Sequence, residues 1–122
     1  MASFSMEIIN LVWEKGIVVD GYDKSKYRKD NCGAWMQKSK LNTQETFGWE
    51  IDNVYPLAKG GDDAIVNLRP MHWQNKRSKN NAYPSYQCVI KAKESVNVAS
   101  EETCIVNQEL QIELEMKYKV KR

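Results

Sequence analysis

The sequence predicts a single α+β domain over residues 1–122, with helices at both ends and strand pairs between them. Three observations predict this. Met6, Ile8, Ile9, Val12 and Trp13 recur at helical spacing, whereas Ala34 and Met36, then Trp49 and Ile51, alternate with polar neighbours. A chain of 122 residues, 42% hydrophobic, can bury one modest core but not two. Four Trp, six Tyr and two Phe give that core large side chains, which sets the chain apart from disordered sequences.

Each element follows in order. Ser5 is placed to cap the first helix, and Gly16 to close it in the left-handed conformation that costs glycine least. After the apolar run Ile17–Val19, residues 20–31 are polar, basic and glycine-containing and read as loop. The alternating segments around Ala34–Met36 and Trp49–Ile51, separated by the turn-rich stretch 41–48, predict an antiparallel pair. Pro56 ends the second of these, and Lys59-Gly60-Gly61-Asp62-Asp63 is a surface loop. Asn67–Met71 is extended, because Pro70 disfavours helix before it. His72–Asn80 reads as a short helix carrying three cations. Tyr86, Cys88 and Ile90 mark one face of a later strand, and Thr103–Val106 another short one. In the last segment Leu110, Ile112, Leu114 and Met116 alternate like a strand. The Gln/Glu/Leu/Met/Lys composition, the Asn107 cap and the Glu113–Lys117 and Glu115–Lys119 spacings favour a C-terminal helix.

The net charge of +2 says little about partners, but its distribution says more. Lys24, Lys26, Arg28, Lys29, Lys38 and Lys40 cluster early, and Arg69, Lys76, Arg77 and Lys79 cluster later. Acids dominate the tail: Glu94, Glu101, Glu102, Glu109, Glu113 and Glu115. Basic clusters can meet phosphates, and they can equally be solvated faces. The three cysteines, Cys32, Cys88 and Cys104, contain no C-x-x-C pair, which argues against a zinc knuckle and for reduced thiols in a cytoplasmic protein. Neither a signal peptide nor a membrane span is expected, since the apolar run Ile8–Trp13 is short and flanked by Glu7 and Glu14.

The informative stretch runs Trp49-Glu50-Ile51-Asp52-Asn53-Val54-Tyr55-Pro56, Lys59-Gly60-Gly61-Asp62-Asp63, Asn67-Leu68-Arg69-Pro70-Met71-His72-Trp73 and Arg77-Ser78-Lys79. It resembles the HNH endonuclease family. That family shows a strand ending in Asp-His, a Gly-Gly loop, an Asn-Leu pair, and a short helix with Asn or His ahead of a basic end. The resemblance covers Cys32 to Asn80 closely, so it implies a ββα-metal core at about 32–80. The flanking Gly21-Tyr22-Asp23, Tyr27-Arg28-Lys29 and Tyr83-Pro84-Ser85-Tyr86 are similar to small bacterial HNH-like proteins. In the family two strands and a helix clamp one divalent cation, Mg²⁺ or a similar ion, which stabilises the leaving oxygen while a base activates water. By resemblance Asp52 is the metal carboxylate, and Asn67 is the asparagine that ties the loop by backbone hydrogen bonds.

Two positions depart from that pattern. Asn53 stands where the family has its general-base His, and an amide has no lone pair that titrates near neutral pH. Loss of a general base costs about 10²- to 10⁴-fold in rate. The helix ligand position falls on Lys76, whose ammonium has three donors and no acceptor and repels a cation; an alignment shifted by one residue puts Asn75 there instead. Exchanging Asn53→His and Lys76→Asn is expected to restore metal-dependent nicking. His72, the only histidine, reads as a structural or surface residue rather than a catalytic one. Trp35, Trp49 and Trp73 could stack on bases, but aromatic residues on such elements are more often core. Glu50 shares a strand face with Asp52, and Gly60-Gly61 reads as a tight turn rather than a phosphate cradle.

Several functions follow from the resemblance. The first is a degenerate HNH-fold protein that binds nucleic acid, DNA foremost, or a protein partner, with cleavage impaired. Its phosphate contacts would be Lys24, Lys26, Arg28, Lys29, Arg69, Lys76, Arg77 and Lys79, and it would need no cofactor. The second is a working divalent-metal endonuclease, or a His-to-Asn inactivated form of one. The third is an inhibitor or immunity-type protein whose acidic tail, Glu109–Glu115, faces a basic partner.

Overall fold

The first helix, α1 (Met6–Trp13), begins where Ser5 is extended and its Oγ accepts from the Ile8 amide at 3.2 Å. The computed structural model describes residues 3–121. The expected left-handed closure at Gly16 is replaced by a right-handed cap at Glu14, and Gly16 has no positive φ. Close packing favours glycine there instead: a Cβ would lie 3.0 Å from the Arg28 Cβ, a contact tight enough that a neighbour would have to give slightly. Arg28 is buried against this junction and donates to the carbonyls of Lys24, Glu14 and Gly16.

Residues 20–31 are not all loop. β1 (Tyr27–Lys29) pairs antiparallel with β2 (Trp35–Gln37), Arg28 facing Met36. The expected pairing of the Ala34–Met36 segment with Trp49–Ile51 is therefore corrected. Instead β3 (Trp49–Asn53) pairs with β4 (Leu68–His72), placing Asp52 opposite Arg69 and Asn53 opposite Leu68. A three-residue strand reading Tyr-Arg-Lys is too short and polar for alternation to reveal it. Pro70 is tolerated because both strands of a two-stranded sheet are edges.

α2 (Trp73–Lys79) follows β4 directly, with His72 as its cap. β5 (Ser85–Lys93) and β6 (Val96–Ile105) form a long antiparallel hairpin with an irregularity between Cys88 and Ile90. β6 extends well before the expected Thr103, since residues 96–105 face mostly solvent and need no apolar face to mark them. α3 (Gln108–Lys117) is a helix capped by Asn107, whose Oδ1 accepts from the Leu110 amide at 2.9 Å. Only Gln111 and Leu114 of that helix are buried, so the apolar alternation along it is incidental.

Three two-stranded sheets thus surround two apolar clusters. Val12, Trp13, Met36, Trp49, Ile51 and Leu68 form one; Cys32, Val54, Met71, Tyr86, Cys88, Val106 and Leu114 form the other. Within the second, Cys32 and Cys88 are joined as a disulfide and Cys104 is free. That corrects the expectation of three reduced thiols and removes the ground for a cytoplasmic location, because disulfides persist in oxidising compartments. Among the described residues no helix is long and apolar enough to cross a membrane.

Candidate functional site

Asp52 and Asn53 sit at the end of β3, where the chain leaves the sheet for the loop that returns at Asn67. Asn67 is fully buried and holds that loop at both ends. Its Oδ1 accepts from the Tyr55 amide at 2.7 Å, and its Nδ2 donates to the carbonyls of Tyr55 and Asp62 at 3.0 and 2.9 Å. Gly61 has to be glycine at this turn, since a Cβ would lie 1.9 Å from the Tyr55 carbonyl oxygen. The Asn53 Nδ2 reaches across the same loop, donating to the Asp62 carbonyl and to Asp63 Oδ1, both at 2.9 Å. Asn53 is thereby a loop brace.

Asp52 is 3% exposed and is enclosed by two cations. The Arg69 Nε donates to its Oδ2 at 3.1 Å, and the Lys79 Nζ lies 3.4 Å from its Oδ1. Lys79 is buried, and its Nζ also donates to the Asn53 carbonyl at 3.2 Å. Burial pushes the Lys79 ammonium down from its ordinary value; Asp52 pulls it back up, and neighbouring Arg69 pushes it down again. The Arg69 guanidinium lies over the Tyr86 ring at 4.9 Å, and its buried Nη2 has no hydrogen-bond partner among the described residues.

The two helix residues that the resemblance sets at the ligand position, Lys76 and, with the shifted alignment, Asn75, have other partners. Lys76 is half-buried, with its Nζ 3.9 Å from Glu50. Asn75 is fully buried and turned toward Asp30 and β5: its Nδ2 donates to Asp30 Oδ2 and to the Ile90 carbonyl, and its Oδ1 accepts from the Val89 and Ile90 amides. Asn75 thus serves the irregular stretch of the hairpin. Asp52 faces two cations, the Asn75 oxygen is taken up by the β5 amides and Lys76 has no acceptor, so the residues present do not fit a Mg²⁺-type ion.

Asp30 is the buried group that sequence reasoning missed. Its Oδ1 accepts from the Cys32 and Ala34 amides, and its Oδ2 from the His72 amide and Asn75 Nδ2, all between 2.8 and 3.1 Å. Burial pushes its carboxyl up, and these hydrogen bonds oppose that push. The available signal was Asp30-Asn31-Cys32-Gly33, an Asp-started turn with Gly33 at φ +90°. His72, on the other side of Asp30, accepts at Nδ1 from the Gln74 amide, which leaves the proton on Nε2 to donate to the Thr46 carbonyl at 2.8 Å. Burial pushes this imidazole down, so it is neutral and structural.

Of the cations assigned to phosphate contact, Arg28, Arg69 and Lys79 are buried with internal partners. Lys24, Lys26 and Arg77 are exposed; Lys29 and Lys76 are half-buried. Trp35 and Trp49 are core residues whose indole N–H groups donate to the carbonyls of Glu94 and Lys38. Trp73 is half-buried, bonded to the Glu45 carbonyl, with Arg77 5.0 Å above its ring. Comparison with protein-family models, with curated proteins and with solved structures finds no match.

Proposed function

We propose that the chain is built on the ββα plan of the HNH nucleases. Within that class it acts as a hydrolytically silent member that binds nucleic acid. The order β3, lashed loop, β4, α2 supports the plan, with Asp52 at the end of β3 and Asn67 fastening the loop. One observation carries the silence: the carboxylate that would hold the metal is neutralised from both sides, by Lys79 and Arg69. A buried ammonium held there by its own ion pair opposes a second cation. Water activation is missing too, since Asn53 has no titrating lone pair and its amide nitrogen is engaged with the loop. The reading for nucleic acid rests on the solvent-facing cations Lys24, Lys26 and Arg77 and on the half-buried Lys29 and Lys76.

Two measurements test this. In a plasmid-nicking assay with Mg²⁺ or Mn²⁺ we expect no more product than in an EDTA control. Nicking that chelation and Asp52→Ala both abolish would overturn the silent reading. Fluorescence anisotropy with a labelled duplex should show binding that weakens steeply with salt and is lost when Lys76 and Arg77 are both changed to Glu. Binding that is absent, or unchanged across salt and by the double substitution, would refute the nucleic-acid reading.

A further inference from the structure

The three cysteines come from separate segments: Cys32 from the turn between β1 and β2, Cys88 from β5 and Cys104 from β6. Nevertheless their Sγ atoms all lie within 4.8 Å of one another. Tyr86 faces Cys104 and Cys88 faces Glu102 across the hairpin, so the two strand cysteines are diagonal neighbours on one face. Cys32 and Cys88 are 4% and 1% exposed, whereas Cys104 is half-buried. It also lines a groove of about 450 Å³, together with Asn31, Arg69 and Tyr86. The groove gives the cluster a way in, past its least buried member.

We propose that, once the Cys32–Cys88 disulfide is reduced, the three thiolates form a site for one thiophilic d¹⁰ cation, zinc(II) or copper(I). In the oxidised chain two of the sulfurs are bonded to each other and only Cys104 can become a thiolate. A dithiol reductant supplies two electrons and two protons, giving the Cys32 and Cys88 thiols and closing its own disulfide. Binding then forms three metal–sulfur bonds and releases one proton from each thiol. Metal–sulfur bonds of about 2.3 Å set the sulfur–sulfur edges of a three-sulfur site at about 4 Å. Cys104 needs to approach by less than about 1 Å to meet that edge, and the bonded pair separates to it once their bond is cleaved. Soft thiolate ligands select such ions over Mg²⁺ or Ca²⁺. Arg69, whose buried Nη2 lacks a partner among the described residues, lines the same groove and offsets the anionic charge of a trithiolate. The site does not depend on the nucleic-acid reading, as two of its three members lie outside the Cys32–Asn80 stretch.

The test uses the full chain, reduced with dithiothreitol, desalted without oxygen and titrated with Co²⁺ as a spectroscopic stand-in for zinc. We expect a thiolate-to-cobalt charge-transfer band that saturates at one ion per chain and is bleached by Zn²⁺. Oxidised wild type should give no band. Reduced C104S should bind at least about 100-fold more weakly, since losing even an outer-shell partner costs about 10- to 100-fold. Circular dichroism of reduced wild type and C104S, with and without Zn²⁺, covers the case in which reduction loosens the fold: ion-driven recovery of structure then has to require Cys104. Absence of both the band and that recovery in the reduced chain overturns the proposal. So does C104S binding as tightly as wild type, or a band of equal strength in the oxidised chain.

Discussion

Lys79 and Lys76 stand three residues apart on one short helix, yet their surroundings make them opposites. Lys79 is buried beside Asp52, and Lys76 reaches a half-exposed Glu50 at 3.9 Å. Lys79→Met leaves Asp52 with Arg69 as its remaining counter-ion but removes the donor to the Asn53 carbonyl and one of two charge partners, so it should lower stability by about 2 kcal/mol in denaturant unfolding. Lys76→Met should lower it by less than about 1 kcal/mol, as expected for a loose surface pair. Equal losses would mean that Asp52 does not depend on Lys79. The same geometry revises the route to activity. Asn53→His with Lys76→Asn leaves Asp52 neutralised by Lys79 and Arg69, so this double variant should show no Mg²⁺-dependent nicking; nicking by it would show that the two cations are no obstacle. The resemblance singled out Asp52, Asn53 and Asn67; the structure has the first two at the end of β3 and the third bonded across the loop that follows. Sequence reasoning placed Lys79 among the phosphate contacts because a seven-residue helix does not reveal which face is packed. Asn75 and Lys79, one turn apart, are the inner face; Lys76 lies outside it.

At the scale of elements, the junction of β4 and α2 is fixed by side chains rather than by apolar packing alone. His72 caps the helix through Nδ1 and bonds the 41–48 loop through Nε2–H; the first of these bonds, in which Nδ1 accepts, requires the neutral ring. Burial holds its folded pKa below the ordinary 6.5. The unfolded chain therefore takes up the proton first, and the stability tied to neutral His72 is present above about pH 6.5 and lost as pH falls toward the folded value. Asp30, pushed up by burial, has the opposite sign: its contribution grows as pH falls through its folded pKa toward 3.8. Comparing wild type with His72→Gln separates the two. Unfolding midpoints measured from pH 7.5 to 5.5 should fall for wild type relative to the variant, and parallel curves would show that His72 does not titrate between the states. The helices were legible because caps such as Ser5 and Asn107 are local chemistry. β1 was not, since its strand character comes from β2 across the turn and not from its own three residues.

For the whole molecule, the difficulty is that three separate two-stranded sheets are individually marginal in water. The shared apolar clusters connect them, and polar and sulfur ties between sheets add to that connection. Asp30 and Asn75 fasten the β1–β2 turn and α2 to one another, Asn75 bonds β5, and Asn97 on β6 bonds the backbone of Trp35 on β2 at 2.7 and 3.0 Å. The Cys32–Cys88 disulfide repeats the connection covalently, between the same turn and β5. None of this was legible from composition, because an odd number of cysteines without short spacings gives no pairing, and buried amides look like surface residues in sequence. The closed loop spans 56 residues of separation, for which chain entropy gives about 4 kcal/mol of stabilisation. Replacing Cys32 and Cys88 together by Ser should therefore lower the unfolding free energy by several kcal/mol, and adding a reductant should then change nothing further. Wild type should fall toward the same value on reduction when no thiophilic ion is present, while oxidised C104S should keep the wild-type midpoint. If the double variant unfolds at the oxidised wild-type midpoint, the apolar clusters and polar ties hold the sheets together without the disulfide, which is then incidental to the fold.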